Sequence, residues 1–131
     1  MPSDANIALQ ASVTKTATFS STALVLPAGT PRGRAMDIRV IYSAATNASG
    51  SNSVLFSVDV SKDGGSTFNQ EFLADPIALS TTAQAAEIFI PISITPASVV
   101  NGIQIKLSAT FSGAGSTPTI TYQGDIVPSR P

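Results

Sequence analysis

The chain has 131 residues, of which 43% are hydrophobic and 11% charged, with a net charge of −1 and no Cys, His or Trp. That length suits one domain with a real core and leaves no room for a second, substrate-binding domain. Disulfides, thiolate metal sites and histidine acid–base chemistry are excluded, and the seven scattered cations trace no phosphate-binding stripe, so no nucleic-acid partner is expected.

The charged fraction is less than half of the roughly 25% of an average soluble domain. Solubility then rests on Ser, Thr, Asn and Gln, and a surface so poor in charge is weakly protected against self-association. Two readings stay open: a surface meant to be covered, or one with few exposed apolar patches that tolerates low charge. No apolar run approaches the roughly 20 residues that span a bilayer. If the sequence is complete, neither a standard secretion signal nor a membrane partner is expected.

Apolar residues recur with period two almost throughout, the mark of half-buried strands. In chain order, Thr16 to Leu26 reads as two strands or one bent strand; Met36, Ile38, Val40 and Tyr42 alternate with Asp37, Arg39 and Ile41; Val54, Phe56, Val58 and Val60 alternate with Leu55, Ser57, Asp59 and Ser61. Thr67 to Leu73 is a shorter candidate. Ile88, Ile90, Ile92 and Ile94 face away from Glu87, Phe89, Pro91 and Ser93; Ile103, Ile105, Leu107, Ala109 and Phe111 oppose Gln104, Lys106, Ser108 and Thr110; Thr119 to Ile126 closes the series. Turn-rich stretches cover 27–33, 46–53, 75–86, 95–102 and 112–118, and Thr81 to Ala86 could form one helical turn.

Seven or eight strands without a crossover helix predict an all-β, two-sheet antiparallel sandwich of the jelly-roll kind. The expected division is an N-terminal arm over 1–10, flexible or docked on a partner, one sandwich domain over 11–127 and a tail over 128–131. Pro91 removes a ladder donor, so its strand belongs at a sheet edge or carries a bulge.

Ser61-Lys62-Asp63-Gly64-Gly65-Ser66-Thr67-Phe68 matches the Asp-box pattern, Ser-x-Asp-x-Gly-x-Thr-aromatic. Physically this is a hairpin turn: Asp63 accepts turn amides, Gly64 and Gly65 permit positive φ, and Phe68 is expected to fold back onto the core. The motif resembles the repeated turns of sialidase-type propellers, but one copy in so short a chain carries over only the hairpin. Asp59, Ser61 and Asp63 also occupy positions of a calcium-loop pattern, a weak metal candidate because the closing acid, Glu71, arrives one residue late. Asp59 and Glu71 could face each other across the hairpin as a glycosidase-like pair, yet sugar-stacking aromatics and an enclosing cleft are not evident. The aromatics read as core. No catalytic residue and no cofactor is assigned, and an enzyme is not expected. Asn47-Ala48-Ser49 fits an N-glycosylation sequon by pattern alone.

The order of features resembles the jelly-roll cement, or decoration, proteins of tailed bacteriophage capsids. It rests on Leu24-Val25-Leu26-Pro27, the strand around Asp37-Ile38-Arg39-Val40, the run Phe56 to Gly65, Gly102-Ile103-Gln104-Ile105-Lys106-Leu107 and the last strand, Thr119 to Val127. An Arg or Tyr pair expected before the Gly102 strand is missing from Ala97 to Asn101. The resemblance implies a structural virion protein on the outer capsid surface that bridges neighbouring capsomers, with the major capsid protein and copies of itself, as dimer or trimer, for partners. The alternative is a carbohydrate-binding or adhesin-type β-sandwich module of a phage tail or cell surface. That reading asks for an exposed aromatic platform, and Tyr42 and Tyr122, the residues considered for one, fall on the core face of their strands.

Overall fold

The computed structural model describes residues 7–26, 36–92 and 103–128. Ten strand segments are present and, among the described residues, no helix: β1 Ile7–Lys15, β2 Phe19–Ser20, β3 Leu24–Leu26, β4 Met36–Thr46, β5 Asn52–Ser61, β6 Asn69–Leu73, β7 Ile77–Ala78, β8 Gln84–Ile92, β9 Ile103–Gly113 and β10 Thr119–Pro128. One sheet runs β1-β10-β4-β8. In the other, β9 and β5 are central, β2 and β3 lie end to end along β9, and β6 and β7 lie end to end along β5. The ten segments therefore make eight strand rows, four per sheet, all paired antiparallel. The first row pairs with the eighth and the second with the seventh, and all but one of the connections cross between the sheets. This is jelly-roll topology, in agreement with the expectation from alternation.

The alternating positions decide which face of each strand is buried. Ile38, Val40 and Tyr42 from β4, Ile120, Tyr122 and Ile126 from β10, and Ile90 and Ile92 from β8 meet Val54, Phe56, Val58 and Val60 of β5 and Ile103, Ile105 and Leu107 of β9. Phe56 stands at the centre, its ring 5.0 Å from Tyr122 edge-on and 6.4 Å from Tyr42. At Gly124 a side chain would run into Leu107 Cδ2, so glycine lets the second sheet close on β10.

Several sequence expectations shift. The N-terminal boundary moves, because Ile7 to Gln10 belong to β1, where Ile7 pairs with Ile126. The Ala-rich run is not helical: Gln84 and Ala86 extend β8, paired with Ala45 and Tyr42 of β4, because an open strand edge supplies more backbone bonds than one isolated turn could. Ile77–Ala78 is a short strand inside a stretch expected as loop. Ile94, the loops over 27–33 and 95–102, residues 1–6 and the tail beyond Pro128 lie outside the described residues. Pro91 sits in β8, at the edge of its sheet, as its missing amide requires.

Candidate functional site

The Asp-box segment closes the β5–β6 hairpin by satisfying its own backbone. Ser61, 0% exposed, donates to Asp63 Oδ1 at 2.8 Å and accepts the Gly65 amide at 2.9 Å; Asp63 Oδ1 accepts the Thr67 amide at 2.9 Å. Gly64 and Gly65 take φ of 77° and 97°. The Thr67 amide first, then the Ser61 hydroxyl, hold the Asp63 carboxyl below its ordinary value. Phe68 is not in the core: it is half-buried at the surface, with Lys106 Nζ 4.1 Å from its ring centroid. A nearby lysine supplied a cation–π partner that residue pattern alone did not reveal.

The proposed carboxylate pair is not assembled. A bulge between Val58 and Asp59 sets Asp59 opposite Gln70 and leaves Glu71 as the extra residue, 3.8 Å from Lys62. Asp59 lies on the outer face of its sheet, where Ser108 donates to Oδ2 at 2.7 Å and Ser57 to Oδ1 at 3.4 Å. Of the calcium candidate, Asp59 takes hydrogen bonds from this serine network, while Ser61 and Asp63 bond each other and the turn amides. No group of three acidic, His or Cys side chains suited to a metal occurs among the described residues. Asn47 of the sequon is buried, its Nδ2 donating to Ser49 O, Gly50 O and Asn52 Oδ1.

The outer face of the β1-β10-β4-β8 sheet brings together a different set. Cross-strand register aligns Phe89, Arg39 and Asp125 in one row, Glu87, Ile41 and Gln123 in the next, and Ser43, Thr121 and Thr14 beyond them. Directly opposed residues on one face have Cβ atoms about 4.5–5.5 Å apart, so Phe89 and Arg39 are neighbours. Arg39 Nη2 donates to Asp125 Oδ2 at 2.8 Å, and its Nε lies 3.8 Å from Glu87 Oε2. Asp125 holds that planar group by a hydrogen bond, with Glu87 beside it and Arg39 Nε left without a hydrogen-bond partner among the described residues. Phe89 is 50% exposed.

Beside this face, at the lateral edge where β8 approaches the β6–β7 segment, lies a groove of about 680 Å³. Leu73, 52% exposed, and Phe89 line it with Ile77, Ile88, Asp75 and Gln84. Tyr42 also borders the groove, although only 7% of it is exposed.

Tyr42 and Tyr122 are core residues, as their strand positions predict. Phe19, like Phe68, carries an ammonium on its ring, Lys15 Nζ at 3.7 Å. Phe89 is the large aromatic the sequence reading passed over when it assigned all aromatics to the core. The signal was present: Phe89 stands out of phase with Ile88, Ile90 and Ile92.

No protein-family profile matches the chain, and no curated protein sequence does. Solved structures similar in fold include two carbohydrate-binding ones. One comprises the CBM22-1–GH10 modules of endo-1,4-beta-D-xylanase 10B from Clostridium thermocellum complexed with xylohexaose: TM-score 0.53, 16% identity, covering 82% of this chain and 19% of that one. The other is a carbohydrate-binding module of the CBM4 class: TM-score 0.50, 13% identity, covering 86% of this chain and 61% of that one. The chain thus spans under two thirds of either neighbour, and at these identities the likeness bears on the fold.

Proposed function

We propose that this chain is a non-catalytic glycan-binding module whose ligand lies on the outer face of the β1-β10-β4-β8 sheet. The observation that carries this reading is Phe89, a half-exposed ring beside the Arg39–Asp125 pair, with Glu87 and Gln123 in the adjoining row. Sugars present apolar C–H faces to aromatic rings and paired hydroxyls to planar polar side chains, and this strip offers both. Two carboxylates flank one guanidinium, which favours neutral over acidic sugars. The fold likeness to CBM22 and CBM4 structures, one of them in complex with xylohexaose, supports the same class. Calorimetric titration with a panel of neutral polysaccharides and xylohexaose tests it. Binding by the native chain that disappears in Phe89→Ala and Arg39→Ala is expected; silence across the panel overturns the reading.

A second reading, a phage capsid cement protein bridging capsomers, is favoured by the surface. Charge is 11% of the sequence, and hydroxyl pairs such as Thr14–Thr121, Ser20–Ser108 and Ser53–Ser112 link neighbouring strands at 2.8–2.9 Å. Such surface can be buried against a shell without stranding charge, and several contacts from one oligomer would add as avidity. Its test is the copy number per particle after gradient sedimentation of source virions. A fixed ratio to the major capsid protein supports it, and absence from the particles excludes it.

A further inference from the structure

The lateral groove adjoins the outer-face strip and shares Phe89 with it. Its volume of about 680 Å³ falls in the range that holds a small ligand or an anchoring side chain with its flanks. Two of the three exposed large apolar side chains of the described residues, Leu73 and Phe89, border it, one from the edge strand of each sheet. Asp75 is the only charged residue among those lining it, and it has no ion pair among the described residues.

We propose that this groove docks another protein through an apolar anchor side chain, Leu, Ile, Met or Phe, whose sequence neighbours carry Lys or Arg. Leu73, Ile77, Ile88 and Phe89 take the anchor, and the Asp75 carboxylate at the groove takes the cation. Charge decides against a second copy of this chain: an isologous contact centred on the groove would bring one Asp75 toward its counterpart and leave both without a cation. Backbone pairing is also disfavoured, since Pro91 interrupts the donor row of β8 and residues 74–76 separate β6 from β7. Anchoring by side chains remains. The proposal is tested apart from glycan binding through Leu73, in β6, and Asp75, in the β6–β7 connection, whereas Arg39 and Asp125 lie in the other sheet.

The test is selection of a random-peptide display library on the immobilised full chain, with Leu73→Asp and Asp75→Lys as parallel baits. Leu73 is half-exposed, so both variants should fold, which circular dichroism and the urea midpoint verify. The expected result is enrichment of peptides with an apolar anchor flanked by Lys or Arg. They should bind Leu73→Asp roughly tenfold or more weakly, as loss of a central anchor contact does. Asp75→Lys should shift the selected flanks to Asp and Glu. Enrichment that ignores both substitutions, acidic flanks on the native chain, or no enrichment above the Leu73→Asp bait would each overturn the proposal. So would concentration-dependent dimerisation in sedimentation that Leu73→Asp abolishes, because the occupant would then be a second copy.

Discussion

Replacing Tyr122 by Phe should stabilise the protein. The ring is 1% exposed and its Oη has no hydrogen-bond partner among the described residues. A buried hydroxyl left unsatisfied costs about 1–3 kcal/mol, and Phe removes that cost while keeping the edge-on contact with Phe56. The space left by one oxygen is smaller than a methyl group, so less than about 1 kcal/mol is returned as lost packing. A net gain of about 1 kcal/mol follows, seen in urea as a midpoint raised by roughly 0.3–1 M at unchanged slope. Alkali supplies an independent check. Burial pushes the Tyr122 phenol from its ordinary 10 up to about 12, so the folded state holds this proton more tightly than the unfolded one. That contribution is complete below pH 10 and is lost as pH rises toward 12, a decline that Tyr122→Phe should lack. A lower urea midpoint in the variant, or native tyrosine absorbance that titrates wholly near pH 10, would show that the hydroxyl is partnered or solvated and refute the argument.

Phe56→Ala, which empties the centre of the core from a residue 0% exposed, should cost about 3–5 kcal/mol in a denaturant titration; a near-neutral result would refute the strand facing. Gly124→Ala should cost about 1–3 kcal/mol by forcing Leu107 aside, and thermal unfolding of the pair Gly124→Ala with Leu107→Val should recover part of the loss. Asp63 is held ionised by the turn, so what it contributes is present above its ordinary value of 3.8 and disappears as pH falls through its lowered native value. Carboxyl NMR titration should place Asp63 below a free aspartate, and Asp63→Ala should speed hydrogen exchange of the Thr67 amide.

The jelly roll was legible because its strands are half-buried: Ile38-Arg39-Val40-Ile41-Tyr42 and Ile103-Gln104-Ile105-Lys106-Leu107 state their inner faces residue by residue. The Asp-box turn was legible too, since its hydrogen bonds are local and need no partner from elsewhere. What pattern could not supply was register. A single extra residue at Glu71 moved it away from Asp59, and bulges in β1 at Ala8/Gln10 and Gln10/Val13 broke the period there. The lysine over Phe68 comes from a remote segment of the chain, as does the β4 ladder that turned the Ala-rich run into strand. The candidate sites were less legible still. Phe89, Arg39 and Asp125 lie far apart in sequence and meet only through the pairing of β8, β4 and β10.

The sheet edges narrow how any partner can bind. β1 is bulged, β8 carries Pro91, β6 and β7 are separated by residues 74–76, and β2 and β3 are separated by residues 21–23. No edge among the described residues offers an uninterrupted ladder, so strand addition is disfavoured at each side. Recognition is left to side chains on a sheet face or in the groove. Pro91→Val tests this logic directly: an edge-strand proline fits where its missing amide faces solvent, so valine would present a donor to a neighbouring copy. The variant should keep the native urea midpoint and sediment as larger species with rising concentration. If it stays indistinguishable from the native chain at every concentration, the proline does not guard this edge.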